Sequence, residues 1–120
     1  MTAPSLSVII FAFDEAENIA PVLGELRTWL EANEPDAEIV FVDDGSRDRT
    51  SEVAAGVLAG CAHQLVRHEK NRGIGAALKS GVRVATGEWV TFLPADGQIE
   101  PGAIRTLRDA QRRTFADVVF

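Results

Sequence analysis

Apolar patterns typical of strands and of helices alternate along the whole chain. Continuous runs of β-branched and aromatic residues predict strands, and apolar residues recurring every three or four positions predict helices. The predicted strands span residues 5–13, 38–42, 64–68 and 89–93, and a fifth begins at 117–120. The predicted helices span residues 19–33, 50–58, 76–85 and 103–113. This alternation indicates α/β architecture, with a mostly parallel sheet covered by helices on both faces in three α/β/α layers.

Residues at the ends and on the faces of these helices add local expectations. Asn18 is a candidate N-cap for the first helix, and Asp48 for the second. The spacing of Leu78 and Val82 predicts that both face the core from the third helix. Gly45 is expected to supply a turn with positive φ.

Composition narrows the possible functions. The chain has 120 residues, enough for one domain, with 12 basic and 18 acidic side chains and a formal net charge of -6. Nucleic-acid binding needs basic clusters, so this balance argues against a nucleic-acid partner. Cys61 is the single cysteine, which excludes an intramolecular disulfide and favours a reduced, cytoplasmic setting. We expect neither a signal peptide nor a membrane span of about 20 apolar residues.

The last residues suggest that the chain continues. They read ADVVF, so a strand begins at 117–120 with no polar tail after it. An unpaired apolar strand is a template for association with other chains. We therefore expect a piece of a longer protein, and self-association of the piece through this edge strand.

Polar residues follow each predicted strand. The carboxyl ends of parallel strands lie at one edge of a sheet, where α/β proteins bind ligands. Four corners should therefore meet there, and they carry these residues: Asp14, Glu15, Glu17, Asn18, Asp43, Asp44, Gly45, Ser46, Asp48, Thr50, Asn71, Arg72, Gly73, Gly75, Asp96 and Gln98. This convergence is the strongest functional signal in the residues themselves.

Several readings of these corners remain open. A dinucleotide fold would need glycines after the first strand, but that turn reads FDEAEN, and its acids would repel a pyrophosphate. Asp14 and Asp48 are either helix caps or ligand contacts. Asp43 and Asp44 are adjacent acids at a strand end, so a turn, a cation or the donors of a ligand should compensate their repulsion. His63 and His68 are expected to be structural or exposed.

The motifs, taken together, resemble a known family. They read SVIIFAFDEAENI, then EIVFVDDGSRDRT, then NRGIGAALKSGVRVATGEWVTFLPADGQ. In this order and spacing they resemble the inverting glycosyltransferases of family two, which have the nucleotide-diphospho-sugar transferase (GT-A, Rossmann-like) fold. The nearest resemblance is to dolichyl-phosphate mannosyltransferase and related polyprenyl-phosphate sugar transferases. Residues 1–120 would then form the N-terminal, nucleotide-sugar-binding part of such a domain.

The resemblance implies roles for individual residues. The GDP- or UDP-linked donor would be bound by Ala12, Phe13, Asp14, Glu15, Asp43, Asp44, Arg72, Gly73 and Gln98. Asp96 would be catalytic, because it matches the last acid of the D-x-D motif that holds Mg²⁺ or Mn²⁺ on the donor diphosphate. Pro94 stands where the family has the first acid of that motif, which weakens the expectation of a metal.

The implied reaction is transfer of a sugar from a nucleotide-diphosphate donor, with inversion, to a polyprenyl or dolichyl phosphate or another glycan acceptor. The acceptor-binding half would lie beyond Phe120, so this part of the protein could bind the donor without transferring sugar. Two alternatives remain open: a catalytically incomplete nucleotide-sugar-binding module, and a non-enzymatic α/β interaction domain whose acids are only caps.

Overall fold

A four-stranded parallel sheet carries helices on both faces in the computed structural model, which describes residues 4–95 and 102–114. The strands are β1 (Leu6–Ala12), β2 (Glu38–Asp43), β3 (His63–Arg67) and β4 (Trp89–Pro94). The helices are α1 (Ile19–Asn33), α2 (Thr50–Leu58), α3 (Ile74–Val84) and α4 (Gly102–Thr114). The predicted alternation is confirmed over these residues. The expected strand at 117–120 lies outside them.

The order of the strands is β3-β2-β1-β4, and every neighbouring pair is parallel. The chain moves outward from β1 to β2 and β3, and then crosses back to place β4 on the other side of β1. The register sets Ile9 of β1 between Val40 of β2 and Phe92 of β4. The strand order therefore reverses between β1 and β4, which is where open α/β sheets form a ligand crevice.

The two faces of the sheet are covered differently. On one face, Val8, Ile10 and Phe41 pack with Leu23 of α1 and Leu58 of α2 in the larger apolar cluster, which Ile104 of α4 also joins. On the opposite face, Ile9, Val40 and Val42 pack with Ala77 of α3. Two helices thus share one face with α4, while α3 lies on the other. This arrangement confirms the three-layer α/β/α architecture.

The orientation of α3 differs from the sequence expectation. Leu78 and Val82 were expected to face the core, but they are 38% and 51% exposed. Ala77 and Gly81 contact the sheet instead, and both are buried. A Cβ atom at Gly81 would lie 2.6 Å from Cγ2 of Ile9, so the helix backbone approaches the sheet too closely for larger residues. The prediction was wrong because α3 packs close to the sheet, and only the small residues Ala77 and Gly81 fit between them.

Two predicted caps have different outcomes. The side chain of Asn18 does not cap α1; its Nδ2 donates to Oε2 of Glu15 at 3.4 Å. The carbonyl of Glu15 accepts the backbone N–H groups of Asn18 and Ile19 instead. The N-cap residue of α2 is Arg49 rather than Asp48, although Oδ1 of Asp48 accepts the N–H of Thr50, the first residue of α2, at 3.0 Å. Within residues 4–95 and 102–114, no helix is long and apolar enough to cross a bilayer.

Candidate functional site

The carboxyl ends of β1, β2 and β3 are joined by backbone hydrogen bonds. The N–H of Asp44 donates to the carbonyl of Ala12, and the N–H of His68 donates to the carbonyl of Asp43, both at 2.9 Å. Three of the four expected corners therefore meet at one edge of the sheet. We call this edge the rim, and it consists of the residues at the carboxyl ends of β1, β2 and β3 and in the loops that directly follow them. At the fourth corner Pro94 is in register with Phe11. Asp96 and Gln98 lie outside the described residues.

Asp43 organises the turn from β2 into α2. It is 1% exposed, and its Oδ1 accepts the N–H of Ser46 at 2.8 Å while its Oδ2 accepts the hydroxyl of Ser51. Gly45 lies in this turn with φ at 77°, as expected. A Cβ there would lie 2.2 Å from the carbonyl carbon of Lys70, so only glycine fits. The N–H and O–H donors of this turn and of α2 thus compensate the negative charge of Asp43, as expected.

Asp44 joins the end of β2 to the start of α3. It is 4% exposed, and its Oδ1 accepts the N–H of Arg72 while its Oδ2 accepts the N–H of Gly73, both at 2.9 Å. Nδ1 of His68 lies 2.8 Å from the same Oδ1. Burial raises the pKa of Asp44, but the hydrogen bonds from His68, Arg72 and Gly73 outweigh it and hold that pKa below its usual range. Asp44 is therefore an ionised buried carboxylate.

Polar residues after β2 bind the loop that follows β1. The backbone N–H groups of three consecutive residues, Asp14, Glu15 and Ala16, point to side chains of the second motif. Their acceptors are Ser46 Oγ at 2.8 Å, Thr50 Oγ1 at 2.9 Å and Asp48 Oδ2 at 3.2 Å. The motif GSRDRT therefore clamps the first loop to the second.

Asp14 forms an ion pair and is not a helix cap. Its backbone has a positive φ of 51°, and Arg47 donates to its carboxylate through the backbone N–H at 2.7 Å, Nε at 3.0 Å and Nη2 at 2.6 Å. These hydrogen bonds from Arg47 lower the pKa of Asp14. The same guanidinium lies 5.4 Å from the centroid of the Phe13 ring. Asp14 and Phe13 thus belong to the rim, with Arg47 as their shared partner.

The remaining expected residues occupy different depths. Ala12 is buried beneath the rim, Glu15 is half-buried, and Arg72 is exposed. Arg72 and Gly73 are brought to Asp44 through their backbone N–H groups. The rim therefore unites the ends of the first three strands around two buried carboxylates.

His68 is the rim residue whose role the sequence did not reveal. It is 7% exposed, and besides Asp44 it contacts Oγ of Ser80 in α3 through Nε2 at 2.7 Å. A structural role was expected as one of two options, but no partner was foreseen. The available signal was its position directly after β3, on the same edge as Asp43 and Asp44.

The described carboxylates of the rim are held by N–H and O–H donors. Among residues 4–95 and 102–114, no group of three or more His, Cys, Asp or Glu side chains could hold a metal ion. The described residues therefore do not by themselves fit the expected cation. Its one expected ligand, Asp96, lies outside them.

The fold and rim define an α/β protein with polar residues collected at the carboxyl ends of parallel strands, next to a reversal of strand order, where open α/β sheets bind ligands. A family model described as Glycosyl transferase family 2 matches residues 7–120. The chain belongs to this family, as its motifs indicated, and it has the nucleotide-diphospho-sugar transferase fold.

Relatives and solved structures agree with this assignment. The chain is 32% identical over 100 residues to dolichyl-phosphate beta-glucosyltransferase of Homo sapiens, covering 77% of this chain and 31% of that protein. It is 31% identical to mannosyltransferase PcManGT from Pyrobaculum calidifontis, solved with GDP-Man and Mn²⁺, with a TM-score of 0.65 over 80% of this chain and 28% of the other. Staphylococcus aureus TarS, solved with UDP-GlcNAc, gives a TM-score of 0.80 at 23% identity, over 94% of this chain and 32% of the other, and supports the fold.

The chain covers only part of these proteins. It spans 28% to 33% of the length of three curated relatives that it matches. The activity, substrates and partners of the whole protein are therefore matters of proposal.

Proposed function

We propose that the chain binds the nucleotide part of a nucleoside-diphosphate sugar at the rim. The observation that carries this proposal is Asp44, a buried and ionised carboxylate at the carboxyl edge of the sheet in a member of Glycosyl transferase family 2. A carboxylate offers about four acceptor positions, and Asp44 uses three of them. In the part of the chain that the structure describes, the fourth position has no donor, and we assign it to a base N–H or a ribose hydroxyl.

Neighbouring residues complete the proposed nucleotide site. Asp43 is the second candidate for the base or ribose, while Ala12, Phe13, Asp14 and Glu15 line the pocket. Arg72 and Gly73 lie next to Asp44 through their backbone and face the nucleotide in this proposal. The support is their common position at the rim, together with the matching motifs.

A divalent cation, Mg²⁺ or Mn²⁺, belongs to the same proposal, with Asp96 as its ligand and Gln98 beside it. The support is the resemblance of PADGQ to the D-x-D region and the Mn²⁺ bound with GDP-Man in PcManGT. Mg²⁺ commonly uses one or two protein carboxylates together with phosphates and water, so one aspartate suffices despite Pro94. Bound there, the ion would stabilise charge on the leaving diphosphate as a Lewis acid.

For the whole protein we propose transfer of the sugar, with inversion, to a polyprenyl or dolichyl phosphate or another glycan acceptor. The human dolichyl-phosphate beta-glucosyltransferase relative supports a lipid phosphate. Such an acceptor is already an anionic nucleophile, so the reaction needs positioning more than a general base. We propose that the whole protein acts at the cytoplasmic face of a membrane.

Calorimetry with GDP and UDP, each with and without Mg²⁺ or Mn²⁺, tests the binding proposal. We expect saturable binding of one nucleotide below about millimolar concentration. Absence of binding for both nucleotides would favour a non-enzymatic interaction domain. Transfer of radiolabelled sugar by the whole protein then separates an active transferase from a module that only binds the donor.

Asp96→Asn tests the proposed metal ligand. We expect weaker nucleotide binding in the presence of metal and an unchanged unfolding temperature, because the substitution removes one charge from the cation site. Glu25→Gln, an exposed change on α1, is the control for loss of a negative charge. If the unfolding temperature drops sharply and nucleotide affinity is unchanged, Asp96 is a structural residue.

Self-association through residues 117–120 completes the proposal. Its support is the apolar sequence of this segment, which is typical of an edge strand. Light scattering over a range of protein concentrations measures it, and a strictly monomeric species at high concentration would contradict it.

A further inference from the structure

A buried chain of hydrogen bonds runs from the rim into α3. Oδ1 of Asp44 lies 2.8 Å from Nδ1 of His68, and Nε2 of His68 lies 2.7 Å from Oγ of Ser80. The side chains of Asp44 and His68 are 5% and 6% exposed. This series of hydrogen bonds joins the carboxyl ends of β2 and β3 to the middle of α3. A histidine with partners on both ring nitrogens and almost no contact with water has a fixed orientation.

The chemistry of the partners assigns the proton. Asp44 is ionised and can only accept hydrogen bonds, so Nδ1 of His68 must donate. Nε2 lies 2.7 Å from Oγ of Ser80, a hydroxyl that can either donate to it or accept from it. This order resembles a serine hydrolase triad, but Ser80 lies inside α3, where backbone N–H groups donate to carbonyls one turn earlier. N–H groups engaged within a helix cannot form an oxyanion hole, so the part of the chain that the structure describes does not support nucleophilic catalysis by Ser80.

We propose that His68 is a positioning residue for nucleotide binding, which it serves by holding the carboxylate of Asp44. The inference rests on the proposed function of Asp44. The N–H groups of Arg72 and Gly73 fix one side of the carboxylate, and His68, directly after β3, adds the third donor. The carboxylate is thereby held from two elements, and its remaining acceptor position keeps one direction.

Substitutions that move the donor along the side chain test this role. Asn at position 68 places an amide N–H near the position of Nδ1 and keeps the bond to Asp44. Gln places its amide near the position of Nε2, toward Ser80, and Leu supplies no donor. We expect GDP or UDP affinity within about threefold of wild type for His68→Asn, and a loss of roughly tenfold for His68→Gln and His68→Leu.

Stability measured on the same variants separates positioning from a purely structural role. If His68 acts only through packing, affinity should follow the free energy of unfolding across the three variants. If it positions Asp44, affinity should follow the presence of a donor at the position of Nδ1. His63→Gln, at the opposite end of β3, is the matched control and should leave affinity unchanged.

Nitrogen NMR of the imidazole gives a readout that needs no nucleotide. We expect a proton on Nδ1 of His68, and a proton on Nε2 alone would overturn the inference. The inference also fails if wild type binds a nucleotide and His68→Leu binds it equally tightly, although the proposed function then stands. If wild type binds neither GDP nor UDP, both fail together.

Discussion

At the scale of single residues, buried carboxylates connect neighbouring elements at the amino ends and at the carboxyl ends of the strands. At the amino end, Oε2 of Glu38 accepts from Ser7 Oγ at 2.6 Å, Thr86 N at 2.7 Å and Thr86 Oγ1 at 2.9 Å, and Oε1 accepts from Gln64 Nε2 at 3.0 Å. Glu38 thus joins β1, β3 and the turn before β4. Burial raises the pKa of Glu38, but its hydrogen bonds outweigh this effect and lower it.

Glu38→Gln should destabilise the fold by about 2–4 kcal/mol. An amide has two donors where the carboxylate has only acceptors, so at least one donor of Ser7, Gln64 or Thr86 loses its buried partner. Urea unfolding measures the change. Glu88→Gln, an exposed change in the same turn, is the control and should stay within about 0.5 kcal/mol of wild type. Equal unfolding midpoints for the two variants would show that Glu38 does not join these elements.

Residue positions were predictable from the sequence, but residue partners were not. Asp43 and Asp44 follow an apolar run, so their place at the edge of the sheet could be inferred. Their donors come from elsewhere in the chain: Ser51 from the next helix, and His68 and Gly73 from beyond β3. No local pattern reports such distant pairs. For the same reason Asp14 was read as a cap or ligand contact, although Arg47 pairs with it.

At the scale of elements, the alternation of apolar patterns predicted the type of every described helix and strand. The bounds of α1 and α2 agree with the prediction residue for residue. The rotation of α3 was not predictable from hydrophobicity, because Gly81 carries no apolar signal. Gly81 faces the core at a point where the side chain of Ile9 occupies the space that a Cβ at position 81 would need. This contact joins α3 to β1, so the pattern of neither element alone predicts it.

Gly81→Ala should therefore destabilise the protein by about 1–3 kcal/mol, since its methyl group overlaps Ile9 and displaces α3. Gly24→Ala is the matched control inside α1, where a Cβ would meet nothing within 4 Å. There the higher helix propensity of alanine should stabilise by about 0.5–1 kcal/mol. Opposite signs in urea unfolding support the close approach of α3. Stabilisation by both substitutions would contradict it.

At the scale of the whole molecule, carboxylates of lowered pKa hold the sheet at both edges. Glu38 joins elements at the amino edge, while Asp44 joins β2, β3 and α3 at the carboxyl edge. Both accept several hydrogen bonds as anions, so protonation removes acceptors from both edges together. The acid stability of the molecule therefore depends on Asp44, which shapes the rim, and on Glu38 at the opposite edge.

The sign of the pH dependence follows from the direction of these shifts. The pKa values of Glu38 and Asp44 are lower in the folded state than their ordinary values, which are about 4.3 for Glu and about 3.9 for Asp. Their contribution to stability is thus fully present above those ordinary values and is lost as pH falls through the folded-state values. We expect nearly constant urea midpoints from about pH 7 to about pH 5.5, and a fall below about pH 4. Glu38→Gln should show a shallower fall, because one of the two groups no longer titrates. Wild-type midpoints that rise on acidification would mean that these carboxylates are more stable protonated, which their N–H and O–H donors oppose.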